Sequence, residues 1–150
     1  MPIVVPSLAT PAFMGTIRGV SDTLRAADLH CVLGDRNLSG DNETALLTSL
    51  LGRRADAVIL ADTVDAPASR ALLERCGVPV VETWTLTRRP VDMNVGFDNR
   101  AAARAATAHL AAIGGRRIGM ICGPLSGNAL GRRRRSGFLD AVRAAWLADD

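Results

Sequence analysis

Short continuous apolar runs alternate with amphipathic stretches from the first residues onward. Ile3, Val4 and Val5 form the first run, stopped by Pro6 and Ser7, and suit a strand buried on both faces of a parallel sheet. Thr10-Pro11 carries the cap-then-proline signature of a helix start. Phe13, Ile17, Val20 and Leu24 then recur on one helical face, with Arg18, Asp22 and Arg25 on the other. The unit repeats: a strand over Leu29 to Gly34, a polar loop over Asp35 to Asp41, and a helix with an apolar stripe of Leu46, Leu47, Leu50 and Leu51 that ends near Gly52. Ala57 to Ala61 reads as a third strand, followed by a polar loop, Asp62 to Asp65, and a helix opened by Pro67 and closed at Cys76-Gly77. Val78 to Val81 is a fourth strand and Val91 to Phe97 a fifth, separated by the loop Glu82 to Pro90. Strands alternating with helices of this length imply βαβ units, hence a three-layer α/β fold with a parallel sheet and helices on both faces. In such sheets ligands bind at the carboxyl ends of the strands, which directs attention to the loops after Val5, Gly34, Ala61 and Val81.

A second group of elements begins at Asp98. Ala101 to Ile113 is alanine-rich, lacks a helix breaker and ends at Gly114-Gly115, so it predicts a helix. Ile118 to Cys122 reads as another buried strand, Gly123 to Gly131 as a loop, and Arg132 to Ala145 as a further helix with Phe138, Leu139 and Val142 turned inward. A lone strand leaves its backbone groups unpaired, so this remainder does not make a sheet of its own. Either Ile118 to Cys122 joins the first sheet, or the chain stops partway through a second lobe.

Composition narrows the function. At 150 residues the chain is long enough for one core, and 48% hydrophobic with 22% charged residues excludes a disordered protein. No apolar run reaches the roughly 18 residues of a membrane span, and the start MPIVVPSLATPAF lacks the basic and long apolar regions of an export signal. A cytoplasmic protein without a membrane partner is therefore expected. The formal charge is +3, and all basic residues are arginine, the side chain that grips carboxylates and phosphates with two hydrogen bonds. Cys31, Cys76 and Cys122 are odd in number and form no CxxC, which implies neither a disulfide framework nor a metal site. There is no GxGxxG, no GxxxxGK[ST] and no nucleophile elbow, and His30 and His109 lie far apart. Neither a catalytic residue nor a cofactor is expected.

Six segments together resemble the effector-binding region of the lac-repressor/galactose-repressor family of transcription factors, with the closest resemblance to gluconate-utilisation repressors. They are VVPSLATPAF from Val4, LLGRRADAVIL from Leu50, GVPVVETW from Gly77, DMNVGFDNRAAARAATAHL from Asp92, GGRRIGMICGPL from Gly114 and RSGFLDAV from Arg135. The resemblance implies a periplasmic-binding-protein-like type I fold in which a sugar or sugar-acid effector sits between lobes and the chain crosses over near Val95 to Asp98. It further implies one nearly complete lobe, residues 1–97, an incomplete second lobe, residues 98–150, and an absent helix-turn-helix headpiece. DNA binding would then come only through that headpiece, with homodimerisation in the full-length relative. Carried over by position, the effector would be met by Ser7, Phe13, Glu82, Asp98 or Asn99, and Arg134, with Arg132 as second choice for the last. The position before Phe13, often aromatic in the family, is Ala12 here.

The residues themselves admit other roles. Phe13 also fits a core anchor of the first helix, Ser7 a turn hydroxyl, and Asp98-Asn99 a helix cap. Glu82, at the carboxyl end of a buried strand, must be paired or face a polar cavity. Asp62 and Asp65 read as solvated loop residues, and Trp84 either closes a cleft wall or packs under its loop. Four arginines, Arg132 to Arg135, near a helix start oppose the dipole and call for something anionic. The leading expectation is the effector-sensing part of a repressor of sugar or sugar-acid utilisation. The alternatives are a periplasmic sugar-binding protein of a transporter or an inactive truncated reading frame.

Overall fold

The computed structural model describes residues 1–36, 40–64 and 66–146, which fall into two compact units, Met1–Gly96 and Phe97–Asp150.

The first unit is built on five parallel strands, β1 (Pro2–Val5), β2 (Val32–Asp35), β3 (Val58–Leu60), β4 (Val80–Thr83) and β5 (Met93–Val95), in the order β2-β1-β3-β4-β5. Register pairs Ile3 with Leu33 and Ile59, Ile59 with Val81, and Val81 with Met93. A single 3₁₀ turn at Pro11–Phe13 leads into α1 (Met14–Arg25), and α2 (Gly40–Leu51) and α3 (Pro67–Glu74) complete the connections. The step from β1 to β2 runs one way across the sheet and the steps from β2 to β3 and β3 to β4 the other. Right-handed crossovers therefore place α1 on one face and α2 with α3 on the opposite one. On the latter face Val4, Val58, Leu60 and Val80 pack with Leu47, Leu50 and Leu73 into the main core. Ile3, Val5 and Ile59 alternate onto the α1 face, where Phe13 and Ile17 are also buried.

The element boundaries shift from the expected ones for local reasons. β2 starts three residues late, because Leu29 donates its N–H to the Leu24 carbonyl and Asp28 takes φ +57°, so the end of α1 consumes the chain up to there. β4 starts after Pro79, which has no N–H to give the ladder, although its carbonyl accepts from Val58. Val32 and Leu33 on one edge strand, and Met93 and Val95 on the other, remain exposed. Residues 37–39 of the expected loop after β2, and Asp65, lie outside the described residues.

In the second unit α4 (Asn99–Ala112) packs on α5 (Ala129–Trp146), and no strand occurs among the described residues. The expected strand at Ile118 to Cys122 is not formed: residues 118–123 carry no regular structure and Ile121 is 102% exposed. Its apolar composition suits a strand, but no second strand to pair with it occurs among the described residues of the unit. Helix α5 begins three residues earlier than expected because Asn128 caps it, its Oδ1 accepting from Gly131 N at 2.8 Å. Phe138, Leu139 and Val142 are half-buried, whereas Ala129, Leu130, Gly137 and Ala141 are buried.

Two glycines on the first unit separate packing from chain entropy. A Cβ on Gly96 would lie 2.5 Å from Thr85 N, whereas one on Gly19 would meet nothing within 4 Å. Gly96→Ala is expected to cost about 3 kcal/mol, and Gly19→Ala to add about 0.5–1 kcal/mol, both read from urea denaturation midpoints.

Candidate functional site

The carboxyl ends of the strands in the first unit collect most of its buried polar side chains. Glu82, the third residue of β4, is 0% exposed. One carboxylate oxygen accepts from Val64 N at 3.3 Å and the other from Val91 N at 2.8 Å. It therefore ties the loop after β3 to the loop before β5, and is held by backbone donors rather than facing a polar cavity. Asn94 on β5 extends the arrangement. Its side-chain amide donates to Glu82 O at 3.0 Å and Thr85 O at 2.8 Å, and its Oδ1 accepts from Thr87 N at 3.1 Å.

Those bonds fix the backbone around Trp84, which sits at φ +70° and donates its N–H to Val95 O at 3.1 Å. A bulky residue in the left-handed region costs about 1–3 kcal/mol, and such strain persists only where the surroundings over-determine it. The indole Nε1 donates to Thr16 Oγ1 at 3.1 Å, and the ring meets Phe13 edge to face, with centroids 5.0 Å apart and planes at 70°. Phe13 is buried and Trp84 half-buried. The Ser7 hydroxyl oxygen accepts from Ala9 N at 3.2 Å, a turn bond, and Asp35 accepts from Leu8 N at 3.2 Å, joining the first loop to the end of β2.

Beside these lies an ion cluster that pattern reading missed. Arg36 follows β2 and contacts Glu43 of α2 at 2.6 Å and Asp62, just beyond β3, at 3.6 Å. Arg36 is 12% exposed at its side chain, and both acids are buried, so the expectation of a solvated Asp62 does not hold. The adjoining cavity is about 10 Å³, space for a single water, so this is a clip between elements and not a ligand pocket. Only the strand-end positions of Arg36 and Asp62 hinted at it.

The second unit offers its own polar group. Asp98 caps α4, its Oδ1 accepting from Arg100 N at 2.9 Å and Ala101 N at 3.0 Å. Asn99 is 1% exposed; its Nδ2 donates to Phe97 O at 3.4 Å, and its Oδ1 accepts from Arg134 Nε at 2.8 Å. Arg132 instead turns back to Leu125 O at 2.9 Å. With α5 starting at Ala129, the arginines lie within the helix and not at its cap. Farther along the same helix pair, Arg100 Nε donates to Asp140 at 2.6 Å beside a surface cleft of about 400 Å³ that also involves Arg104 and three alanines. The hydrogen bond to Asp140 raises the pKa of Arg100, and the same bond, helped by Arg143 and Arg104, holds the Asp140 carboxyl below its ordinary value.

Among the described residues no group of three or more His, Cys, Asp or Glu is placed to hold a metal, and no helix is long and apolar enough to cross a membrane. The parallel 2-1-3-4-5 sheet with flanking helices is of the periplasmic-binding-protein-like type I class, as its likeness to solved members shows. Residues 1–149 match the family described as periplasmic binding proteins and the sugar-binding domain of the LacI family, and the chain belongs to it. It is 31% identical over 116 residues to the HTH-type transcriptional regulator GntR of Escherichia coli (strain K12), covering 77% of this chain and 35% of that protein. The GntR regulator of Pseudomonas aeruginosa is 29% identical over 147 residues, 98% of this chain and 42% of that one. A LacI family transcriptional regulator from Silicibacter pomeroyi superposes with a TM-score of 0.88 at 32% identity, covering 96% of this chain and 53% of the solved one. The chain thus spans about a third to a half of the length of these relatives.

Arg36→Ala leaves two buried carboxylates without their cation and is expected to cost about 3–5 kcal/mol, measured by urea unfolding. The Asp140 carboxyl is expected to titrate below the usual carboxylate range and to return toward it in Arg100→Gln, followed by carbon NMR. The sign follows from the lowered value: the stability this pair contributes is present above the ordinary carboxylate pKa and is lost as pH falls through the folded one.

Proposed function

We propose that this chain is the effector-sensing portion of a transcriptional repressor of sugar or sugar-acid utilisation, with a gluconate-like acid as its effector. The observation that carries the reading is the bond from Arg134 Nε to buried Asn99. It orients a guanidinium whose two terminal nitrogens are assigned no acceptor among the described residues, and such a fork suits a sugar-acid carboxylate. Support comes also from the likeness to regulators named GntR, and from the expectation of an effector in this family.

The role is binding and not catalysis. Ser7, Phe13 and Asp98 remain candidate contacts alongside Asn99 and Arg134. Arg132 is the weaker choice, since its guanidinium is bonded to Leu125 O, and Glu82 supports the loops through its backbone bonds. Effector binding would alter the pairing of DNA-binding headpieces in a cytoplasmic homodimer of the whole regulator.

Calorimetric titration with gluconate tests the proposal. Wild type is expected to bind, and Arg134→Ala to weaken binding at least tenfold, the scale of a lost charge-assisted bond. Equal affinity for the two proteins would overturn the carboxylate role of Arg134, and absence of binding to wild type would overturn the sugar-acid reading.

A further inference from the structure

We propose that the cleft along α4 in the second unit binds a small organic phosphate, with the phosphoryl group on Arg104 and Arg143 and the carbon part over the alanines. The chain concentrates positive charge in this unit. Residues 97–150 carry nine arginines against four acids, whereas residues 1–96 carry nine against eleven. An excess of one sign gathers counter-ions of the other on that surface. The cleft is a shaped space of about 400 Å³, within the range that takes small ligands. Ala101, Ala105 and Ala108 recur on one face of α4 and are exposed, so along that stripe nothing longer than a methyl group enters the space.

The charges at the cleft divide into those already engaged and those still open. Asp98 accepts from Arg100 N and Ala101 N at the head of α4, and Asp140 accepts from Arg100 Nε. Arg104 on α4 and Arg143, one turn beyond Asp140 on α5, are exposed, and neither guanidinium donates to a partner among the described residues. The Arg100 bond first, and then the charges of Arg143 and Arg104, hold the Asp140 carboxyl below its ordinary value, which places all three cations around one carboxylate. Because Arg100 already satisfies that carboxylate, two positive forks are left over beside the cleft. A phosphate monoester carries about −1.5 to −2 charge at neutral pH and three acceptor oxygens, enough for two forks. A carboxylate, with a single charge and two oxygens, matches only one.

The test titrates glycerol 3-phosphate into the whole 150-residue chain carrying isotope-labelled alanine methyls, at fixed ionic strength, with inorganic phosphate and sodium chloride titrated in parallel. The methyl signals of Ala101, Ala105 and Ala108 are expected to shift with the ester, to respond only at higher concentration to inorganic phosphate, and to ignore chloride. Arg104→Gln and Arg143→Gln are each expected to weaken ester binding about tenfold while leaving Tm nearly unchanged. Ala105→Leu keeps a strong helix former at an exposed position and every charge in place, but fills the cleft. It is expected to abolish ester binding and to melt no lower than wild type. Ester binding that survives Ala105→Leu, or shifts centred on other alanines, would overturn the cleft as the site. Undiminished binding by both glutamine variants would overturn the role of the two arginines. Equal affinity for inorganic phosphate would overturn the organic ligand, and a wild type that binds neither would bring down the whole proposal.

Discussion

A carboxylate removed from water must find donors, and in the first unit Glu82 finds them on two separate stretches of backbone. Val64 N and Val91 N belong to the chain after β3 and before β5, so a single side chain on β4 fixes the route of both neighbours. Asn94 then reads the carbonyl of Glu82 itself and that of Thr85, which makes the carboxyl edge of the sheet a connected hydrogen-bonded rim. The left-handed Trp84 and the close approach of Gly96 to Thr85 both lie inside that rim.

The second unit is organised on a different basis. Two helices pack closely, and Gly137 sits so near the backbone of Arg100 and Arg104 that a side chain there has no room. On that crossing stand two arginine arrangements of different character. Arg134 is anchored by a buried neutral amide, whereas Arg100 is engaged by the Asp140 carboxylate. An amide orients a guanidinium without neutralising it, which is the electrostatic condition for receiving an anion. The contrast separates a candidate recognition group from a surface ion pair within one pair of helices.

Much of this was legible in the sequence. Apolar runs such as Ile3 to Val5 report burial directly, and Pro11 opens the 3₁₀ turn that leads into α1, although Thr10 makes no side-chain cap bond there. Glu82 was legible as a carboxylate needing partners, but not as one held by backbone N–H groups, since which loop amides reach it depends on the tertiary path. The cluster of Arg36, Glu43 and Asp62 was invisible to periodicity because its members come from three elements. The expected strand at Ile118 failed for a deeper reason. A strand is a property of a pair, and composition describes only one member of it.

The buried cluster around Arg36 also constrains how this lobe can change over time. Loss of either acid leaves the arginine with one partner, and loss of the arginine first leaves two enclosed negative charges facing each other. The order of replacement therefore matters: a route to an apolar version of this corner is open through Glu43 or Asp62 and nearly closed through Arg36. Positions 36, 43 and 62, distant in the chain, are one electrostatic unit.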